Sequence, residues 1–76
     1  MEEAAKHIIQ NITGSDKFEI SSEQEDDRIT ITVKTDKKII GLIIGKEGKT
    51  IKNIRRVLSI AATQAQKSVS LEVEEN

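Results

Sequence analysis

The stretch IIGKEGKTIKNI, residues 43–54 of a 76-residue chain, decides the fold. Apolar residues at helical spacing precede it and follow it, so one helix ends here and another begins almost at once. Gly45 is suited to closing the first helix, because glycine reaches the left-handed backbone conformation at little cost. Gly48 has no Cβ, so another backbone can approach it closely. The stretch therefore predicts a tight turn between two helices, from Gly45 to Gly48.

The start of the second helix is predicted to bind an anion such as a phosphate. The N–H groups around Gly48 to Thr50 are expected to be free donors at the positive end of the helix dipole. Lys46 and Lys49 add positive charge beside them. Aliphatic side chains suited to the face of a base are expected next to this anion: Ile44, Ile51 and Ile54.

The spacing of the glycines excludes two other nucleotide-binding motifs. Gly48-Lys49-Thr50 imitates the end of a P-loop, but that motif needs a glycine where Ile43 stands. The dinucleotide fingerprint also fails, because Gly41, Gly45 and Gly48 have the wrong spacing and follow a predicted helix rather than a strand.

Periodicity in the rest of the chain predicts the order α-β-β-α-α-β. Helices are expected over residues 2–12, 37–43 and 49–66, and strands around Phe18 to Ser22, Ile29 to Val33 and Val69 to Val73. Thr35 or Asp36 is expected to cap the second helix. The acidic residues 23–27 are expected to form a solvated hairpin turn, since they lack the ligand spacing of a calcium loop.

A helical crossover favours a parallel pairing of the second and third strands, whereas a hairpin makes the first two antiparallel. The predicted fold class is α+β, with a mixed three-stranded sheet covered by three helices. No linker or internal repeat interrupts the chain, so residues 1–76 are expected to form a single domain.

Charge is distributed unevenly along the chain. The net charge is -1, but residues 34–56 carry eight basic side chains against two acidic ones, a charge of +6, and the remainder carries -7. The basic residues of that segment are Lys34, Lys37, Lys38, Lys46, Lys49, Lys52, Arg55 and Arg56. This asymmetry predicts one basic face directed at a polyanion.

Residues 44–51 resemble the KH signature I-G-x-x-G-x-x-I, and the α-β-β-α-α-β order resembles the type II KH arrangement of prokaryotes. The resemblance covers essentially the whole chain. Within that group, the length and the run from Gly41 to Arg55 are most similar to the small bacterial KhpA family. This resemblance implies an RNA chaperone or post-transcriptional regulator, often paired with a KH protein of the KhpB (Jag) type.

The resemblance also implies a site for single-stranded RNA, in which the GXXG turn grips about four nucleotides. The groove is expected between the two central helices with their turn and the strand from Val69 to Val73. The residues expected to contact RNA are Ile44, Gly45, Lys46, Glu47, Gly48, Lys49, Thr50, Ile51, Lys52, Ile54 and Arg55. Two residues depart from the family pattern: Leu42 replaces a basic or polar residue, and the Glu47 carboxylate opposes phosphate binding.

An alternative function is a protein-interaction module of KH fold, in which RNA binding is secondary. Ala61, Ala62 and Ala65 occupy the end of the long helix, and small residues permit close packing between helices. This patch predicts self-association as a homodimer, and the resemblance to the KhpA family implies a heterodimer with a KhpB-type protein as the other possibility.

No catalytic, cofactor or metal site is expected. The chain has no cysteine and a single histidine, His7, and its serines have no histidine partner in the pattern. Phe18, the only aromatic residue, is expected in the core. The charged start and the lack of a long apolar run predict a cytoplasmic protein that does not bind membranes.

Overall fold

The computed structural model describes residues 1–76 and confirms the α+β fold class. Its elements, in chain order, are α1 (Glu2–Thr13), β1 (Phe18–Glu25), β2 (Arg28–Thr35), α2 (Lys37–Ile44), a 3-10 turn (Lys46–Gly48), α3 (Lys49–Gln64) and β3 (Ser68–Glu75). The sheet order is β1-β2-β3, with an antiparallel β1–β2 pair and a parallel β2–β3 pair. The mixed sheet and the α-β-β-α-α-β order predicted from the sequence are therefore confirmed.

The core is thin and lies between the sheet and the three helices. Only 11 of 76 residues are buried, which fits the small core expected of so short a chain. The largest fully buried apolar side chains come from both layers, namely Ile9, Ile31, Val33, Ile43, Ile54 and Leu58. Phe18 packs against this cluster as expected. The helices are held in place mainly by these aliphatic contacts.

The other face of the sheet is uncovered and polar. Along β2, Ile29, Ile31 and Val33 are buried while the residues between them are half-buried or exposed. The same alternation on β1 and β3 places hydroxyl and carboxylate side chains on the open face. On this face Lys34 lies between its cross-strand neighbours, Glu19 on β1 and Glu74 on β3.

The hairpin between the first two strands is tighter than predicted. Residues 23–25 belong to β1, and only Asp26 and Asp27 form the turn. Asp26 has φ 55°, a left-handed conformation that aspartate adopts more readily than most residues. The expected five-residue acidic turn is therefore wrong, because the cross-strand ladder continues to the Glu25–Arg28 pair.

The ends of two helices also refine the prediction. Asp36 caps α2, since its Oδ1 accepts a hydrogen bond from the Ile39 N–H at 2.9 Å. Thr35 is instead fully buried, and its hydroxyl donates to the Lys17 carbonyl at 2.8 Å. Helix α3 ends at Gln64 rather than Gln66, because Gln66 turns left-handed with φ 59°.

Candidate nucleic-acid interface

Gly45 makes the turn between α2 and α3 possible. Its φ of 74° and ψ of -179° lie in a region that is essentially restricted to glycine. Its N–H donates to the Gly41 carbonyl at 2.9 Å and closes α2. A Cβ on Gly45 would lie 2.6 Å from the Thr50 Cβ and closer still to Thr50 Oγ1. The first turn of α3 therefore packs directly on the Gly45 backbone.

Gly48 faces open space. It is left-handed, with φ 74° and ψ 12°, and no heavy atom lies within 4 Å of where its Cβ would be. The neighbouring Glu47 is also left-handed, with φ 58° and ψ 24°. Within the folded chain, the close backbone approach thus occurs at Gly45, and the surface above Gly48 is left clear.

The amides of this turn are partly used within the turn itself. The Gly48 N–H donates to the Gly45 carbonyl at a long 3.3 Å, and the Lys49 N–H donates to the Lys46 carbonyl. The expectation of free donors at Gly48 and Lys49 is therefore wrong for the unliganded chain, because a 3-10 turn joins the two helices. A ligand at these amides has to replace or share those bonds.

The charged side chains of the turn point into solvent. Lys46, Glu47, Lys49 and Lys52 are all exposed, and Thr50 is half-buried against Gly45. These residues form one continuous surface from the turn along the first two turns of α3. We call this surface the turn face.

The aliphatic part of the predicted site is smaller than expected. Ile44 is 38% exposed and can contact a ligand. Ile51 is half-buried against the core, and Ile54 is 1% exposed and belongs to it. Helical periodicity explains this placement, since Ile51, Ile54 and Leu58 share the stripe of α3 that faces the sheet.

A groove runs between α3 and the edge strand β3. Its volume is about 460 Å³, and its lining residues are Arg55, Leu58, Ser59, Val69, Ser70, Leu71 and Glu72. The Arg55 side chain spans it, donating from Nη2 to the Leu71 carbonyl at 3.3 Å. Sequence reasoning missed this contact, because it depends on how a helix and a strand pack.

The basic residues do not all share one face. Lys34 lies on the open side of the sheet between two glutamates, away from the covering helices. Lys37 and Lys38 begin α2, at the opposite end of that helix from the turn. The predicted single basic face of eight side chains is therefore wrong, and the turn face retains Lys46, Lys49 and Lys52 with Arg55 at its margin.

The exposed apolar residues of α3 differ from those predicted. Ala62 is fully buried, and Ala65 lies beyond the end of the helix, so the alanine patch does not form a surface. Val57 and Ile60 are instead 51% and 57% exposed, one helical turn apart. Their i and i+3 spacing is the sequence signal that marks them as one surface.

Comparison with known proteins assigns this chain to a family. The family profile described as KhpA/KhpB, KH domain matches residues 2–73. This chain belongs to the KhpA/KhpB family of KH domains. The family is non-enzymatic, which confirms the prediction that the chain is not an enzyme, and the α-β-β-α-α-β order agrees with the type II KH arrangement.

Full-length relatives are found in several bacteria. The RNA-binding protein KhpA of Chlamydia pneumoniae is 38% identical over 76 residues, covering 99% of this chain and 97% of the relative. The RNA-binding protein KhpA of Bacillus subtilis is 30% identical over 74 residues, covering 96% of this chain and 91% of the relative. The resemblance to the KhpA family seen in the sequence is thus confirmed.

A solved structure shares the fold. Aquifex aeolicus Era bound to GDP and aluminium fluoride superposes with a TM-score of 0.66 at 17% identity, over 97% of this chain but only 29% of that one. At this identity the likeness shows the fold alone. Separately, none of the helices has the length and apolar character needed to cross a membrane.

Proposed function

We propose that this chain binds single-stranded RNA at the turn between α2 and α3, gripping about four nucleotides, and acts as an RNA chaperone or post-transcriptional regulator. The relatives named as RNA-binding KhpA proteins support RNA as the ligand. Phe18 is the only aromatic residue and packs against the core, so we expect the protein to contact the RNA backbone rather than to stack on the bases.

The observation that carries the proposal is the clear surface above Gly48. No atom of the chain occupies the space beside its Cα, and the exposed Lys46 and Lys49 flank it. A phosphate approaching there meets positive charge, the amino end of the 16-residue helix α3 and no steric obstacle. Its contacts fix the position of the strand and carry little sequence information.

Glu47 limits the strength of this grip. Its carboxylate is exposed within the turn, so it adds repulsion where the phosphate arrives. Lys46 offsets that repulsion from the adjacent position. The balance of the two charges predicts modest affinity for RNA.

The proposal is tested by Lys46→Asp combined with Glu47→Asp. Both side chains are exposed, and aspartate tolerates the left-handed backbone of position 47, so the fold should survive. Two carboxylates facing the phosphate should lower affinity for a short single-stranded RNA at least about tenfold, read by fluorescence anisotropy.

The matched control is Lys38→Asp, which changes the net charge by the same amount at the far end of α2. It should weaken binding much less, because it lies about one 12 Å helix length from the turn. Equal losses of affinity in the control and the double variant would mean that RNA binding depends only on the net charge of the protein. Full affinity in the folded double variant would show that the turn is not part of the RNA-binding site.

A second proposed function is self-association, or pairing with a KhpB-type KH protein, through α3. The specific observation is the exposed pair Val57 and Ile60, which lies away from the groove-lining residues Arg55 and Ser59. Pairing there would leave the groove and the turn face accessible. The family description, which joins KhpA with KhpB, supports a partner of the same fold. We also propose that the protein acts in the cytoplasm, where its RNA would be found.

A further inference from the structure

The sheet has two free edges, and the edge of β1 is the more open of the two. The sheet order β1-β2-β3 makes β1 and β3 the outer strands. On β3 the Leu71 carbonyl already accepts a hydrogen bond from Arg55. On β1, the backbone of residues 19–25 makes no backbone hydrogen bond except in its pairing with β2. The outer edge of β1 is therefore free to pair with another chain.

The hairpin between β1 and β2 determines which backbone groups point away from the sheet. Asp26 and Asp27 alone form the turn, so the residues that flank them, Glu25 and Arg28, make the hydrogen-bonded pair of a two-residue hairpin. Such pairs alternate along an antiparallel ladder, so the odd-numbered residues of β1 direct their N–H and C=O groups towards β2. The even-numbered residues direct theirs outward, namely Ile20, Ser22 and Gln24. Each of them offers one donor and one acceptor to a further strand.

The edge of β1 lacks most of the devices that prevent pairing with another chain. Native edge strands are commonly protected by proline, a β-bulge, a very short strand or a covering loop. β1 is eight residues long, contains no proline and pairs with β2 in continuous register from Phe18 to Glu25. The residues from Ser21 to Glu25 are all exposed. Only the charge of its side chains restricts which strand can be added.

That charge excludes a second copy of β1 and favours a basic strand. Carboxylates occupy most of the open-face positions of β1, namely Glu19, Glu23 and Glu25. Pairing between the β1 strands of two copies would bring these carboxylates together on adjacent strands, and like charges opposite each other are destabilising. The same carboxylates repel the backbone of RNA. A strand with lysine or arginine at alternate positions would instead form cross-strand pairs of opposite charge.

The helical side of this edge has room for an apolar side chain. A pocket of about 300 Å³ lies between α1 and the start of β1, and its lining residues are Glu2, Glu3, Lys6, Phe18 and Ile20. Ser22 ties β1 to α1, since its hydroxyl donates to Glu2 Oε2 at 2.8 Å. Side chains directly opposite on adjacent strands are neighbours, so a residue opposite Ile20 would lie beside this pocket.

We propose that the edge of β1 binds an extended basic protein segment, which adds a fourth strand to the sheet. Backbone hydrogen bonds at Ile20, Ser22 and Gln24 provide affinity, and the carboxylates of the open face select basic side chains. An apolar residue opposite Ile20 sets the register. This inference goes beyond the proposed function and does not depend on RNA binding, because β1 contacts mainly β2 and α1 and not the turn between α2 and α3.

The probe is the peptide acetyl-KTKTKVK-amide, designed to pair antiparallel to residues 19–25. It places lysine opposite the open-face positions, valine opposite Ile20 and threonine opposite Ser22 and Gln24. Titration at about 0.15 M salt, followed by nuclear magnetic resonance, should give saturable shifts and slower hydrogen exchange at the amides of those three residues. The peptide ETETEVE should bind at least about tenfold more weakly, because it places like charges opposite each other. No saturable binding of the lysine peptide, or equal binding of both peptides, overturns the proposal.

A methylated peptide separates strand addition from simple attraction between charges. Methyl groups on the backbone nitrogens of the valine and the two threonines keep every charge and remove the donors that face β1. This peptide should bind at least about tenfold more weakly than the unmodified one, since the edge carbonyls lose their partners. Equal affinity of the methylated peptide would mean that no strand is added, and it overturns the proposal.

Glu23→Lys tests the selection of charge, with Glu72→Lys as its matched control. Both residues lie on the open face, each opposite a threonine of β2, and both substitutions change the charge equally. Glu23→Lys should weaken binding of the lysine peptide about fivefold or more. Glu72→Lys should weaken it less than about twofold, because β3 lies three strand spacings, about 14 Å, from the added strand, beyond the screening length of about 8 Å. Equal losses in the two variants overturn the assignment to β1.

Discussion

Replacing Gly45 or Gly48 with alanine should have very different consequences, although both glycines have φ 74°. At Gly45 the new methyl group meets the Thr50 side chain, whose Cβ would be 2.6 Å away, and the ψ of -179° is itself unfavourable for any other residue. The backbone conformation costs about 1–3 kcal/mol. Overpacking against Thr50 adds about 1–3 kcal/mol.

At Gly48 the methyl group meets nothing within 4 Å, and the backbone is in the ordinary left-handed region. Gly48→Ala should therefore lower the free energy of unfolding by about 1–2 kcal/mol. A domain of 76 residues has a free energy of unfolding of roughly 4–11 kcal/mol. Gly45→Ala should therefore remove about half of the free energy of unfolding, and Gly48→Ala a smaller part.

The assay is urea unfolding followed by far-ultraviolet circular dichroism, since the chain has no tryptophan or tyrosine to report by fluorescence. Adding Thr50→Gly to Gly45→Ala should recover the part of the loss due to overpacking and leave the backbone part. Gly48→Ala, which stays folded, should instead weaken RNA binding, because its methyl group enters the clear space. Equal unfolding midpoints for the two single variants would refute the reasoning.

Four other outcomes are expected for binding and assembly. The logarithm of RNA affinity should fall against the logarithm of salt concentration with a slope near -1.5 to -2, because about two to three phosphates are neutralised and each contributes ~0.7 to the slope. Lys49→Ala should make this slope shallower by somewhat less than one unit. Ile44→Ser should weaken binding without altering the slope, since apolar contact is insensitive to screening. Glu47→Gln should raise affinity, measured by anisotropy. Ile60→Lys should shift sedimentation from dimer to monomer; identical sedimentation of variant and wild type would exclude this helix face.

The fold was predictable from the sequence because its signals are local. Apolar spacing marked the helices and strands, and two glycines three residues apart, Gly45 and Gly48, marked the connection between the two central helices. The ends of the elements were less predictable. Residues 23–25 look like a loop by charge, but pairing with β2 holds them in a strand, since the open face tolerates carboxylates.

The structural surroundings of the predicted site were only partly predictable. Lys46 and Lys49 are positively charged by residue type, and their exposure follows from their place in and next to a turn. The burial of Ile54, the separation of Lys34 from the other basic residues and the hydrogen bond from Arg55 to Leu71 depend on how the helices lie on the sheet. Sequence spacing along one element does not contain that information.

The arrangement of charge predicts one preferred orientation for a bound polyanion, although the net charge of the chain is -1. Glutamates line the open face of the sheet, and Lys34 lies between two of them on the neighbouring strands, so we expect this face to repel RNA. The turn face belongs to the helical layer, on the other side of the sheet from these carboxylates. We therefore expect RNA to bind from the side of the turn, where it would meet Lys46, Lys49 and Lys52, with Glu47 as the nearest carboxylate.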